Sequence, residues 1–360
     1  MFVADLHNDL VQRIIEGEDV TKLTYHGHTD IPRLKESSIN LQILIIWVSS
    51  KSSDPNYFSK ANRMFDELEK LSNIEDVLIP KKLQEIIDGI KYDKLLLPIS
   101  MEGGEAIENN LDNLYHFINR GLFYLGPTWN HSLDWVSSNY DEKYNKTKLK
   151  TFGLSDFGKE VINICQENRV LIDVSHIGEK SFWDIENIST KPFIASHSSV
   201  YKICPHFRNL HDDQIIAIKN KNGLIGINPY PFFIDPTFKD RESIFRNEHK
   251  EKIKSLEIQH SKKSSQWLAK QHYLQKKLGS ICPDIDLFID HMEYIIKLIG
   301  IDYVGVGSDY DGLDCLPRGW EDCSDHFKMA EKLETRGYNQ EEIEKVMGKN
   351  ILRVLEEINY

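Results

Sequence analysis

Six residues of metal-ligand type stand at the ends of five short apolar runs. FVADLH (2–7) leads into His7 and Asp9, and LLLPISME (95–102) ends on Glu102. RVLIDVSH ends on His176, PFIASHS (192–198) carries His197, and YVGVGSD (303–309) ends on Asp309. Imidazole and carboxylate without thiolate suit zinc, manganese, iron or cobalt in a hydrolytic centre. Three histidines, an aspartate and a glutamate are too many for one tetrahedral catalytic ion with an open position, and about right for two ions bridged by a carboxylate. Two such ions, roughly 3.5–4 Å apart, share a hydroxide formed at neutral pH. Asp309 is then left as a proton acceptor rather than a ligand. The chemistry indicated is hydrolysis.

Alternation along a strand sharpens the assignment. Residues i and i+2 face the same side, so His7 and Asp9 reach one mouth together while Asn8 turns away. Asp5 has the same parity but stands earlier, which suits a supporting role. His26 and His28 in YHGHTD share the i, i+2 spacing but follow no strand-like run, and they read as structural or surface residues.

Something must bring these run ends together. Besides the five, three further apolar runs occur: INLQILIIWV (39–48), LFYLGPTW (122–129) and GLIGINP (223–229). Continuous apolar runs mark parallel strands buried on both faces. Amphipathic stretches lie between them: a helix opened by Asp54-Pro55, another in GLSDFGKEVINICQEN, and a last one beginning near Asn339, where Glu342 completes a capping box. Eight strand–helix repeats predict an α/β fold of the (β/α)8 TIM-barrel type, in which all strand C-termini meet on the active face. A doubly wound sheet is the competing architecture. Residues 231–280, charged and helical in pattern, break the rhythm between the seventh and eighth strands and exceed an ordinary βα loop. They read either as a solvated helical excursion or as a lid or dimer contact over the mouth.

Composition sets the surroundings. The 360 residues read as one domain, 1–360, with 40% hydrophobic and 28% charged residues and a net charge of -12. That charge argues against a nucleic-acid partner. No run reaches the roughly 18 apolar residues of a membrane span, and no signal peptide is visible. The five cysteines, Cys165, Cys204, Cys282, Cys315 and Cys323, are scattered and form no CxxC pair. Free thiols in a reducing, cytoplasmic setting are expected. An anionic small substrate would need a local cation in such a field. Arg208, eleven residues beyond His197 in ASHSSVYKICPHFRNL, offers a planar fork matched to a carboxylate.

Taken together, DLHNDL (5–10), HTDIPRLKES (28–37), SMEGGEAI (100–107), GLSDFGKEVI (153–162), LIDVSH (171–176), PFIASHSS (192–199), HFRN (206–209) and GVGSDYDG (305–312) resemble the membrane (renal) dipeptidase family of zinc peptidases. The motifs run through the chain in the family's order. The resemblance implies a metal-dependent hydrolase barrel with two Zn2+ per chain, for which Mn2+ or Co2+ can substitute, acting on small dipeptides. It implies that His7 and Asp9 bind one zinc, that His176 and His197 bind the other, and that Glu102 bridges them. Arg208 matches the position that holds the dipeptide carboxylate. Asp309 matches the acid–base residue near the scissile bond and the substrate amino group.

One position departs from the pattern. Family members such as the mammalian enzyme carry a carbonyl-polarising His after the fourth strand, in a Leu-Thr-His context. This chain has GPTWNHSLDW, with Trp129 at that place, then Asn130 and His131. An indole N–H is a donor but not a cation. Either His131 or Asn130 takes the electrophilic role, or that zinc stabilises the oxyanion alone. The rival readings are a related amidohydrolase acting on N-acyl amino acids, lactones or other small substrates, and a catalytically silent barrel that only binds. Mammalian relatives are disulfide-linked, lipid-anchored dimers, and here any homodimer would be noncovalent.

Overall fold

A computed structural model describes residues 1–49, 55–259 and 263–360. Eight parallel strands form its centre: β1 (Ala4–Asn8), β2 (Leu41–Trp47), β3 (Ile99–Glu102), β4 (Leu122–Gly126), β5 (Leu171–Ile172), β6 (Ile194–Ala195), β7 (Leu224–Ile227) and β8 (Val304–Val306). Ladders join β1 through β5 and, separately, β6 through β8. Parallel bridges at Asp173↔Ile194 and Asn8↔Tyr310 close the two remaining joints. The order is therefore cyclic, and the fold is a (β/α)8 barrel rather than a doubly wound sheet.

The strands are shorter than the apolar runs that announce them, for identifiable reasons. Pro98 has no N–H to donate and splits the third run, so that Leu95–Leu96 forms a separate short strand between Leu41 of β2 and Val77–Leu78. At the β5–β6 joint a carboxylate reinforces the ladder bond from Val174 N to the Ile194 carbonyl. Asp173 Oδ1 accepts from the backbone N–H of Ser196 at 2.8 Å and of Ser175 at 3.1 Å. Asp5 acts likewise at the seam between β8 and β1. It accepts from Ser308 N at 2.9 Å and from Gln42 Nε2 at 2.7 Å. Along β2, Leu41, Ile43 and Ile45 pack in one apolar cluster, whereas Leu44 and Ile46 pack in another, as the pleat requires.

Helix starts follow local capping chemistry. Ser155 accepts from Gly158 N to open Asp156–Glu167, and Asn339 with Glu342 forms the expected reciprocal box. The helix expected from Asp54-Pro55 is Tyr57–Glu69, capped by the Asn56 side chain; Asp54 itself lies outside the described residues. The final helix, Asn350–Ile358, presses Ile351, Val354, Leu355 and Ile358 into the cluster that also holds Ala4, Leu6 and Leu41.

Between β7 and β8 the chain forms the helices Pro231–Ile234, Phe238–Glu248, Lys250–Gln259 and Lys263–Leu278, and residues 260–262 of the insertion lie outside the described residues. A separate apolar cluster of Phe238, Phe245, Leu274, Leu278, Cys282 and Cys315 holds its base. The next helix, Ile285–Ile299, carries the fully buried His291, whose Nδ1 accepts from Val200 N at 3.0 Å. Its Nε2 donates to the Ile234 carbonyl at 3.1 Å. This side chain ties the insertion to the loop after β6.

Burial lowers the His291 pKa from 6.5 to about 4. Between those values the unfolded chain takes up a proton that the folded chain refuses, so this contribution to stability is present above pH 6.5 and fades as pH falls toward about 4. His291→Gln should therefore destabilise the protein most at neutral pH, by about 1–3 kcal/mol for the lost buried hydrogen bonds. In urea titrations the gap to wild type should narrow as pH drops through that window.

Candidate metal centre

At the C-terminal mouth of the barrel the three histidine rings turn their Nε2 atoms toward one another. His176 Nε2 lies 3.1 Å from His197 Nε2, and Glu102 Oε1 lies 2.8 Å, 3.4 Å and 3.9 Å from the Nε2 atoms of His176, His197 and His7. Asp9 Oδ2 stands 3.7 Å from His7 Nε2, on the side where Asp309 also reaches. All six side chains are buried or nearly so.

Each ring is fixed from behind. His7 Nδ1 donates to Tyr124 Oη at 2.8 Å, and that hydroxyl donates to the Leu6 carbonyl at 3.1 Å. His197 Nδ1 donates to Ser196 Oγ at 2.8 Å, whose proton goes to Asp173 Oδ2 at 2.6 Å. His176 Nδ1 donates to Asn130 Oδ1 at 3.2 Å. With all three protons on Nδ1, three Nε2 lone pairs face a common centre, and His7 Nε2 has no hydrogen-bond partner. Neutral imidazoles oriented by such partners are what metal ligation demands.

The electrostatics point the same way. Burial drives the pKa values of His7, His176 and His197 well down, so the rings stay neutral. Burial, then Asp309 and Asp311, pushes Asp9 well above the carboxylate range. Burial, then Asp9 and Asp309, does the same to Glu102. Buried carboxylates that hold their protons only for want of a cation, set beside neutral imidazole lone pairs, form a site for cations. The residues fit divalent metal: Glu102, His176 and His197 make one candidate group, His7, Asp9 and Asp309 another, and His7, Asp173 and His197 a third.

The loop after β8 makes this crowding possible. A Cβ on Gly312 would collide with Asp9 Oδ2 and Asp309 Oδ1, so only glycine lets the two carboxylates approach. Asp309 itself adopts a left-handed φ of 56°, with Asn228 Nδ2 donating to its Oδ2 at 3.0 Å. Burial raises its pKa to about 6. Below the site, Asp311 accepts from Thr29 Oγ1 and from His28 N, each at 2.6 Å, and pairs with buried Arg13 at 3.2 Å. His28 is thus a buried structural residue. Asn8 turns away toward Thr29 Oγ1, 3.2 Å distant.

A cavity of about 490 Å3 opens above the cluster, lined on one side by Arg208 and on others by Asp9, Asp309, Trp47, Trp129 and Asn130. Arg208 is 3% exposed, and its Nε has no partner. Its remaining bonds, to Ser198 Oγ at 3.4 Å and the His197 carbonyl at 3.3 Å, are long. Among the described residues no carboxylate pairs with it. Trp129 stands edge-on to Trp47 with ring centroids 4.9 Å apart, and Asn130 is engaged with His176. His131 is not brought to the cavity. It packs edge-on against Trp129 and Tyr140, because the chain turns outward after Asn130.

The profile of the membrane dipeptidase family (peptidase family M19) matches residues 1–360. The chain belongs to this family. An uncharacterized protein from the PQQ-III 3′ region of Acinetobacter calcoaceticus is 30% identical over 253 residues, which is 63% of this chain and 79% of that protein. A Rhodobacter sphaeroides metallopeptidase, solved with a phosphinate mimic of the dipeptide L-Ala-D-Ala, superposes with a TM-score of 0.80 at 22% identity, over 99% of each chain. The probable dipeptidase PvdM of Pseudomonas aeruginosa gives 0.77 at 20% identity, over 99% of this chain and 95% of its own. Family membership makes this a metallo-dipeptidase-type hydrolase. No helix among the described residues is long and apolar enough to cross a membrane.

Sequence reasoning passed over Tyr124, Ser196, Asp173, Asn228 and Gln271. A carboxylate inside an apolar run must find buried partners, and Asp173 in LIDVSH carried that signal. Gln271, whose unpartnered Oε1 belongs to the insertion helix on the cavity wall, had none to separate it from its polar neighbours. Tyr124→Phe removes the acceptor that holds His7 and should weaken metal binding by about ten- to a hundredfold in chelator competition. The circular-dichroism spectrum should stay unchanged.

Proposed function

We propose that this protein is a binuclear zinc dipeptidase that hydrolyses free dipeptides of the L-Xaa-L-Xaa and L-Xaa-D-Xaa kind. His7 and Asp9 would hold one ion, His176 and His197 the other, with Glu102 shared. Zinc there supplies Lewis acidity toward the peptide carbonyl and activates a water at neutral pH. The observation that carries the reading is Arg208, a buried guanidinium without a carboxylate partner on the wall of the cavity above the ligand cluster. A dipeptide carboxylate completes its hydrogen bonding and places the scissile bond over the histidines.

The chain's own residues then divide the work. Arg208 fixes the C-terminal end through charge-assisted hydrogen bonds. Asp309, already sharing the neighbourhood of Asp9, takes a proton and delivers it to the leaving amine, and its charge suits the substrate's free ammonium. Trp129 and Trp47 form an apolar wall that keeps water from the carbonyl. Asn130 holds His176 rather than the substrate. A longer peptide has no carboxylate at the distance Arg208 requires. The dipeptide mimic bound by the Rhodobacter relative supports a pocket of this size and tolerance for a D-residue.

The test is amino-acid release from L,L- and L,D-dipeptides by zinc-loaded protein, with matched tripeptides as controls. Dipeptides should be cleaved and tripeptides spared; absence of dipeptide turnover would overturn the proposal. Arg208→Ala should raise KM about ten- to a hundredfold, the loss expected for charge-assisted bonds, with kcat changed far less. Unchanged KM would remove Arg208 from substrate binding.

A further inference from the structure

The structure brings two thiols together at the base of the insertion. Cys282 follows the helix Lys263–Leu278, with its N–H bonded to the Leu278 carbonyl at 3.2 Å, and Cys315 lies in the loop after β8. Their Sγ atoms are 2.8 Å apart, inside ordinary sulfur–sulfur contact, and both are free thiols. Both are buried, at 4% and 3% exposure, in the small apolar cluster of Phe238, Phe245, Leu274 and Leu278. Among the described residues this is the single thiol–thiol contact. Cys315 also lines a second cavity, of about 590 Å3, bordered by Lys276, Arg318 and Trp320. That cavity is distinct from the one above the histidines, and Cys315 is part of its wall.

We propose that Cys282 and Cys315 are a dithiol–disulfide pair, oxidised by small-molecule disulfides that enter beside Cys315. The Cys315 thiolate attacks one sulfur of the reagent, and the first reagent thiolate leaves. The Cys282 thiolate then attacks the Cys315 sulfur of the mixed disulfide and expels the second. Two cysteine thiols are oxidised by two electrons in all, the reagent is reduced to two thiols, and the two protons lost by the cysteines end on those thiols. The bond staples the base of the insertion, whose Gln271 lines the catalytic cavity, to the loop that carries Gly312 and Leu313 on the same cavity. The hydrogen bond with Cys282 and burial hold the Cys315 thiol above its ordinary range, so exchange is slow at neutral pH and faster in mild alkali. The inference does not rest on the catalytic reading.

The test compares protein incubated with oxidised glutathione in mild alkali against protein kept in dithiothreitol. Each sample is unfolded, alkylated and weighed. The reduced chain should take five alkyl groups, one per cysteine, and the oxidised chain two fewer, with Cys282 and Cys315 joined in the peptide map. Cys282→Ala and Cys315→Ala should lose no labels by internal crosslinking. The oxidised wild type should also melt at a higher temperature than the reduced, because the crosslink restricts the unfolded chain. Five labels after oxidation, label loss at Cys165, Cys204 or Cys323, or glutathione retained at Cys315 as a stable adduct would each overturn the pairing. A melting temperature that does not rise would overturn the stapling.

Discussion

Three imidazole lone pairs aimed at one point in a buried space are a constraint that the rest of the barrel has to maintain. No hydrogen bond among His7, His176 and His197 can satisfy all three Nε2 atoms when each proton is committed to Nδ1. The arrangement survives because its cost is distributed backward through partners that are themselves held: Tyr124 by the Leu6 carbonyl, Ser196 by Asp173, Asn130 by the turn after β4. Glu102 and Asp9 add carboxylates whose burial and mutual repulsion are relieved by protonation or by a bound cation. Metal occupancy and folding stability are therefore coupled in this protein, as mass action requires of any ligand bound by the native state alone.

The same constraint shapes the barrel. The two joints closed by isolated bridges, β5–β6 and β8–β1, are where Asp173 and Asp5 sit, and both carboxylates add hydrogen bonds to the sparse ladder there. Burial pushes Asp5 to about 7, so this pin is expensive to keep charged. It persists because Ser308 N and Gln42 Nε2 both donate to it, fixing the backbone one residue before Asp309. Placement of the Asp309 carboxylate is thus a by-product of how the barrel closes.

This explains which parts of the structure were legible in the sequence. Candidate ligands at strand ends could be read because residue type and position coincide there, and parity separated His7 and Asp9 from Asn8. Strand lengths could not be read, since an apolar run does not reveal that Asp173 will take up the Ser196 N–H or that Pro98 will split the third run. His131 was a plausible electrophile by type alone, but its reach depends on the outward turn after Asn130, which follows from Ser138 Oγ bonding the Asn130 carbonyl at 2.8 Å. Tyr124 was hidden for a related reason: in a parallel strand buried on both faces, alternation no longer distinguishes a residue that packs from one whose hydroxyl orients a ligand.

Charge distribution gives the cavity its direction. Of the residues lining it, Arg208 is the one permanent cation, against Asp9, Glu102, Asp309 and Asp311. In a chain of net charge -12 such a cavity would repel a carboxylate if the field were uniform. Burial prevents that uniformity, because the guanidinium is shielded from the screening that weakens surface charges. Trp129 brings no second cation to the middle of the cavity, which leaves its two ends of opposite sign. Under the proposed dipeptidase function, a zwitterion with its charges on either side of one peptide bond would match that polarity, whereas an N-acyl amino acid would present only one of the two charges.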